Sequence, residues 1–291
     1  MPRDHIIPKF ILRGFAINPT ANKSNQKIMI YDRKTKQIKT EKIADAYAIQ
    51  DFNSPETEKF LAREYETDVA KIFQRIKEAV EKKQENTNLS NSEYKLLFRF
   101  FVIMWRRNNI QLDKMRDLSK EFESYLKAIL GENFYKQMLK PEYRNVPIDQ
   151  EIDQRLNELR EPFYDRVIQE TNDYDPTVQK TIKYYKPHII YNKSNIHFIM
   201  HNAYATLKYF ISGDCVQKDG IPYFFIEPIS NTLCFCLALS KDEIDLNKEY
   251  YEIPIEIWDE DELIKEHFIK GYITATASSF IVDETNKDYV E

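Results

Sequence analysis

Near the start of the chain, His5 stands three positions before Pro8 and is followed by Phe10, Leu12 and Phe15, so an imidazole is joined to a short apolar plug. Its charge changes near neutral pH, which suits general acid or base work; the same ring serves equally well as an anchor bonded to a backbone carbonyl. Arg107 and Asn108 follow the most apolar run of the sequence, Phe100 to Trp105. A guanidinium there either clamps a phosphate or carboxylate through paired hydrogen bonds or forms a buried ion pair, with Glu66 or Asp214 as partner. Asn108 either orients a ligand or caps exposed backbone. Asp214, after Ser212 and Gly213, falls at the end of an expected strand, where it projects for function or only shapes a turn.

His197 and His201 are four apart, with Tyr204 next along, which on a helix places all three on one flank. That spacing can hold a metal, but the helical zinc-protease pattern needs Glu directly after the first His and this chain has Phe198. No metal and no cofactor are therefore expected. Two histidines and an arginine can cleave RNA without metal, one ring as base, the other as acid, and the guanidinium on the phosphate. The expected catalytic set is His5, Arg107, His197 and Asp214, with Glu66 and Asn108 in support.

Composition narrows the classes. With 5 Gly in 291 residues there is no glycine-rich phosphate loop. A net charge of −5 argues against wholesale wrapping of nucleic acid while leaving room for a local basic face. Arg3, Asp4 and Lys9 interrupt any apolar leader, and Phe100 to Trp105 is too short to span a bilayer, so no membrane association is expected. Three cysteines, an odd number, argue against a disulfide framework, and Cys234 and Cys236 read as buried, reduced thiols on one face of a strand. A cytoplasmic location is the expectation.

The elements that must position these groups are legible in outline. Ile28, Ile30 and Ile38 alternate around a turn at Asp32 to Lys36, as in a hairpin. Ser54 and Pro55 open a helix with an apolar stripe at Leu61, Tyr65, Val69, Ile72, Phe73, Ile76 and Val80, and Glu66 lies at its edge. Ser90 and Glu93 form a capping box ahead of a helix apolar nearly all round from Leu96 to Trp105. Residues 132–187, broken by Pro141, Pro147, Pro162, Pro176 and Pro187, read as shorter helices forming a cap. Strands are expected from Tyr223 to Ile226 and Leu233 to Leu239, then a helix from Asp259 to about Ala275 and a strand from Phe280 to Val282. The expected class is α+β: a central helical bundle with an N-terminal hairpin and a C-terminal antiparallel sheet in one composite domain, 1–291. Its parts are a plug and hairpin (1–53), a helical region (54–206) and a β-rich part (207–291).

Three stretches resemble a bacterial family known as a domain of unknown function, number four-two-three-eight. His5-Ile-Ile-Pro8 with Leu12 and Phe15 is similar to its opening motif. Arg107-Asn108 follows an aromatic helix as in the family, although Asn109 stands where Pro is common. Phe210-Ile-Ser-Gly-Asp214-Cys-Val is similar to its third motif, with Gly213 in place of Ser and the later Pro missing. The resemblance implies an intracellular bacterial protein, sometimes near mobile elements, and supplies no substrate, cofactor or catalytic residue. Two functions are expected from the residues: a hydrolase or phosphodiesterase acting on nucleic acid or nucleotides in a toxin or phage-defence role, or a binding or regulatory module whose polar cluster is structural and whose Tyr-rich middle segment meets a protein partner.

Overall fold

The computed structural model describes residues 3–50, 52–106, 109–201, 216–218, 221–240, 242–270 and 279–290. Arg107, Asn108 and Asp214 lie outside the described residues, and nothing structural is said of them.

Residues 4–8 are buried. Strand β1 (Arg3–His5) pairs antiparallel with β4 (Ala48–Gln50), and Asp4 Oδ2 accepts the backbone N–H of Phe52 at 2.9 Å and of Asn53 at 3.0 Å. The short helix α1 (Lys9–Arg13) then drives Ile11 and Leu12 into the core, and Phe10 packs 5.9 Å from both Phe73 and Phe100. Strands β2 (Lys27–Asp32) and β3 (Gln37–Lys42) form the expected hairpin, with Lys36 in the left-handed region at φ 54° within its turn.

Ser54 caps α2 (Pro55–Leu61) by accepting from Thr57 N, and the helix continues through a π turn (Ala62–Glu66) into α3 (Thr67–Glu81). Every residue of the expected stripe from Leu61 to Val80 is buried. After β5 (Asn86–Ser90), the capping box is formed: Ser90 N donates to Glu93 Oε2 at 2.9 Å and Glu93 N to Ser90 Oγ at 3.3 Å. Helix α4 (Asn91–Arg106) is buried on most sides, and Phe101 stacks on Phe235 with ring centroids 4.4 Å apart.

Helices α5 (Asn109–Leu130), α6 (Glu132–Met138), α7 (Ile148–Glu170) and α8 (Pro176–Tyr184) follow. Two expectations for this region need correction. Helix α7 runs through Pro162 for 23 residues, because loss of one N–H does not end a helix held at intervals by tertiary contacts such as buried Ile152 and Ile168. Within the expected helical region 54–206, the end of the cap and the residues after it are instead β6 (Tyr185–Asn192), an inner strand with Ile189 and Ile190 fully buried. Its apolar run is too short to be told from a helix by pattern alone.

Strands β7 (Met200–His201), β8 (Val216–Lys218), β9 (Ile221–Pro228), β10 (Leu233–Leu239), β11 (Tyr250–Trp258) and β12 (Ser279–Val282) complete the sheets. Among the described residues one sheet has the order β5-β11-β6-β10-β9-β8, antiparallel except for β11 beside β6, and another has the order β3-β2-β12-β7. The fold is α+β. Strand period two sends Leu233, Phe235 and Leu237 into a core shared with α3 and α4, while Cys234, Cys236 and Ala238 enter a second core with Trp258 and Phe268. The expected helix after Asp259 is described as Asp261–Leu263 running into a π turn at Ile264–Lys270, with Glu260 rather than Asp259 before it, and its remainder lies outside the described residues. Among the described residues no helix is long and apolar enough to cross a membrane.

Arg106, which sequence reasoning passed over in favour of its neighbour, ties α4 to the start of α8. Its Nη1 lies 2.5 Å and its Nη2 3.1 Å from the two oxygens of Asp175, and it also donates to Thr171 and Thr177. Asp175 is in turn the N-cap of α8, accepting from Thr177 N and Val178 N. Burial raises its pKa, and the Arg106 guanidinium with the two N–H groups outweighs that, holding the carboxyl below its ordinary range. Asp175→Ala removes the cap and one partner of the ion pair together, so a loss of about 2–4 kcal/mol is expected in urea unfolding. Asp175→Asn, which keeps a capping oxygen, should lose less.

Candidate functional site

Five residues from three separated segments meet around His197. The ring Nδ1 of His197 lies 2.5 Å from Asp283 Oδ2. A carboxylate only accepts, so Nδ1–H donates and the proton-exchanging position of the ring is Nε2. No hydrogen bond to Nε2 is found among the described residues, and the His197 side chain is 30% exposed while Asp283 is 16% exposed. A partly exposed imidazole whose Nδ1 is held by a carboxylate can act as a general base through Nε2.

Local sequence explains why the pair holds. Asp283 follows β12 directly, and the turn it opens is a closed set of side-chain to backbone bonds. Asp283 N donates to Asn286 Oδ1 at 2.8 Å, while Thr285 N and Thr285 Oγ donate to Asp283 Oδ1 at 2.8 and 2.6 Å. Thr285 Oγ accepts from His197 N at 2.9 Å, and Asn286 Nδ2 reaches the carbonyls of His197 and Phe198. Burial pushes the Asp283 pKa up, but the hydrogen bonds from the His197 ring and from Thr285 outweigh it, and the carboxyl stays below its ordinary range. It is therefore a carboxylate at neutral pH.

The third segment is the turn after β9. Asn231 Nδ2 stands 3.4 Å from His197 Nδ1, and Asn231 O accepts from Phe198 N at 2.9 Å. Asn231 N donates to Gly14 O at 3.1 Å. Gly14 is required at this approach: a Cβ there would collide with the Ile229 carbonyl and lie 2.8 Å from Ser230 Cα. The N-terminal plug thus abuts the turn that carries Asn231.

Of the residues singled out from sequence, His197 is in this cluster and the others described are not part of its hydrogen bonds. His5 is buried, with Nε2 3.0 Å from Ile43 O, so Nε2 is the donor and the ring fastens β1 to the loop after β3. Burial lowers its pKa, helped by the charge of Lys9, against the opposing pull of the Ile43 and Ala44 carbonyls and Asp4. Glu66 is half-buried at the end of the π turn in the second helical segment. The expected helix carrying His197 and His201 is absent: residues 193–199 are irregular, and His201 belongs to β7, opposite Phe280. Helical i, i+4 geometry for a metal is lost with it. Among the described residues no group of three or more His, Cys, Asp and Glu is placed to hold a metal ion. Cys234 and Cys236 are both buried with sulfurs 3.7 Å apart, and burial raises the Cys234 thiol well above its ordinary pKa. That keeps it protonated and inert.

Sequence reasoning missed Asp283, Asn231 and the fully buried carboxyl of Glu227 on β9. For Asp283 a signal existed: an Asp-x-Thr-Asn run at a strand end is turn chemistry that exposes polar groups.

A family model described as "Protein of unknown function (DUF4238)" matches residues 3–287. The chain belongs to this family. The match includes both His5, in the opening motif of the plug, and Asp283. No curated protein and no solved structure matches the chain.

The depressed pKa of buried His5 has a thermodynamic sign. Because the folded value lies below the unfolded one of about 6.5, the unfolded chain takes up this proton first. Stability from a neutral His5 is fully present above the unfolded pKa and is lost as pH falls toward the folded one. His5→Gln removes the titration and keeps an N–H for Ile43. Between about pH 7 and pH 5 the natural protein should therefore lose more unfolding free energy than His5→Gln, read from urea midpoints at each pH.

Proposed function

We propose that this protein is a hydrolase whose general base is His197, held by Asp283, and that the bond it breaks is a phosphodiester of nucleic acid or a nucleotide, in a toxin or phage-defence role. The observation that carries the reading is the 2.5 Å contact between Nδ1 and Asp283 on a His197 side chain that is 30% exposed. In the reaction, Nε2 takes a proton from water as its oxygen forms a bond to phosphorus. The imidazolium stays paired with the Asp283 carboxylate, and its proton passes to the oxygen that leaves as the second P–O bond breaks. Arg107 is assigned to the phosphate, on which a guanidinium makes paired charged bonds, with Asn108 and Asp214 in support. His5 and Glu66 are assigned positioning roles, His5 because its ring is already committed to Ile43.

A second reading, a binding or regulatory module, is favoured by a different observation. Asn286 and Thr285 bond the backbone of His197 and Phe198, which is also what a purely structural clamp would do.

One experiment separates them. The purified chain is assayed against bis(p-nitrophenyl) phosphate and a labelled single-stranded RNA, alongside His197→Gln and Asp283→Asn, with thermal midpoints for all three. For the hydrolase, His197→Gln should lower turnover by about 10²–10⁴-fold with little change in midpoint. Absence of turnover by the natural protein, or equal turnover by His197→Gln, overturns the enzyme reading. A large fall in midpoint without turnover in any form supports the clamp.

A further inference from the structure

Helix α5 carries a feature that the site above does not use. Leu118, Phe122, Tyr125 and Ile129 are spaced four, three and four apart, the stripe of a helix that pairs with another helix. In this structure that stripe faces outward. With Phe134 and Met138 of α6, these side chains are between 55% and 65% exposed. Gly131, at φ 80°, turns the chain between the two helices, so the apolar surface continues from one to the other. Beside it runs a groove of about 390 Å³ that Phe122 and Met138 share with Leu126, Ile152 and Leu156.

We propose that this face is a docking surface for a second copy of the same chain, with α5 lying antiparallel on its counterpart across a twofold axis. Two observations favour a copy over an unrelated partner. The four-three-four spacing is the same read from either end, so antiparallel pairing sets Leu118 against Ile129 and Phe122 against Tyr125, each contact occurring twice. At about 200 Å² for each large side chain, the six leave roughly 700 Å² open, close to what one partner of a standard interface contributes and more than a typical monomer exposes in one patch.

The test is sedimentation equilibrium on the full chain at micromolar concentrations. The expected mass is twice the 34.8 kDa of the chain. Phe122→Glu and, separately, Tyr125→Glu place a charge in the seam at exposed positions and should each return the mass to one chain, with an unchanged thermal unfolding profile of the protomer. The double variant Leu118→Cys/Ile129→Cys should cross-link to a dimer under mild oxidation, whereas Leu118→Cys alone should not. A single-chain mass for the natural protein overturns the proposal. So does a dimer that survives both glutamate variants, or one that cross-links through Leu118→Cys alone.

Discussion

Burying most of residues 4–15 is a demanding constraint, because a polar group taken along must find a partner. Here the demand is met at three points. Asp4 accepts two backbone N–H groups from residues 52–53, His5 gives its Nε2 proton to Ile43, and Gly14 lies so close to the 229–231 turn that no side chain fits between them. With those in place, Phe10, Ile11, Leu12 and Phe15 fill the core against Phe73 and Phe100. The plug is therefore a part of the interior, and its far end borders the turn that holds Asn231.

That arrangement links the N-terminal motif to the His197 cluster without any direct bond between the two histidines. His5 fastens the segment, Gly14 allows the close approach, and Asn231 passes the contact to His197 and Phe198. Opposite it, the turn at Asp283 supplies the carboxylate and fixes the backbone of the same loop. Irregular backbone around a partly exposed histidine is thus held from two sides by fully committed side chains. Such support gives a loop the fixed geometry that proton transfer requires.

Where a local pattern had one physical interpretation, it could be read directly. The stripe from Leu61 to Val80, the Ser90–Glu93 capping box and the hairpin around Asp32 to Lys36 depend on neighbours within a few residues, and each is present. Alternation along Leu233 to Leu239 likewise puts Cys234 and Cys236 together on one face. Residues 193–201 show the opposite case. The spacing of His197, His201 and Tyr204 suits a helix, yet Asn286 and Asn231 capture the backbone of His197 and Phe198, and β12 captures His201. Hydrogen bonds from residues far along the chain outbid a local periodicity that was only three residues strong.

The sequence by itself determined the α+β class, the family, the buried plug and the helices whose apolar faces repeat with the helical period. Those properties follow from side-chain type and spacing over short range. Only the tertiary structure decided that His197 pairs with Asp283, that Arg106 is the guanidinium closing α4 onto α8, and that His5 is spent on a carbonyl. The reason is distance along the chain. His197 and its carboxylate are 86 residues apart, and Arg106 and Asp175 are 69 apart, so nothing local to either partner encodes the other.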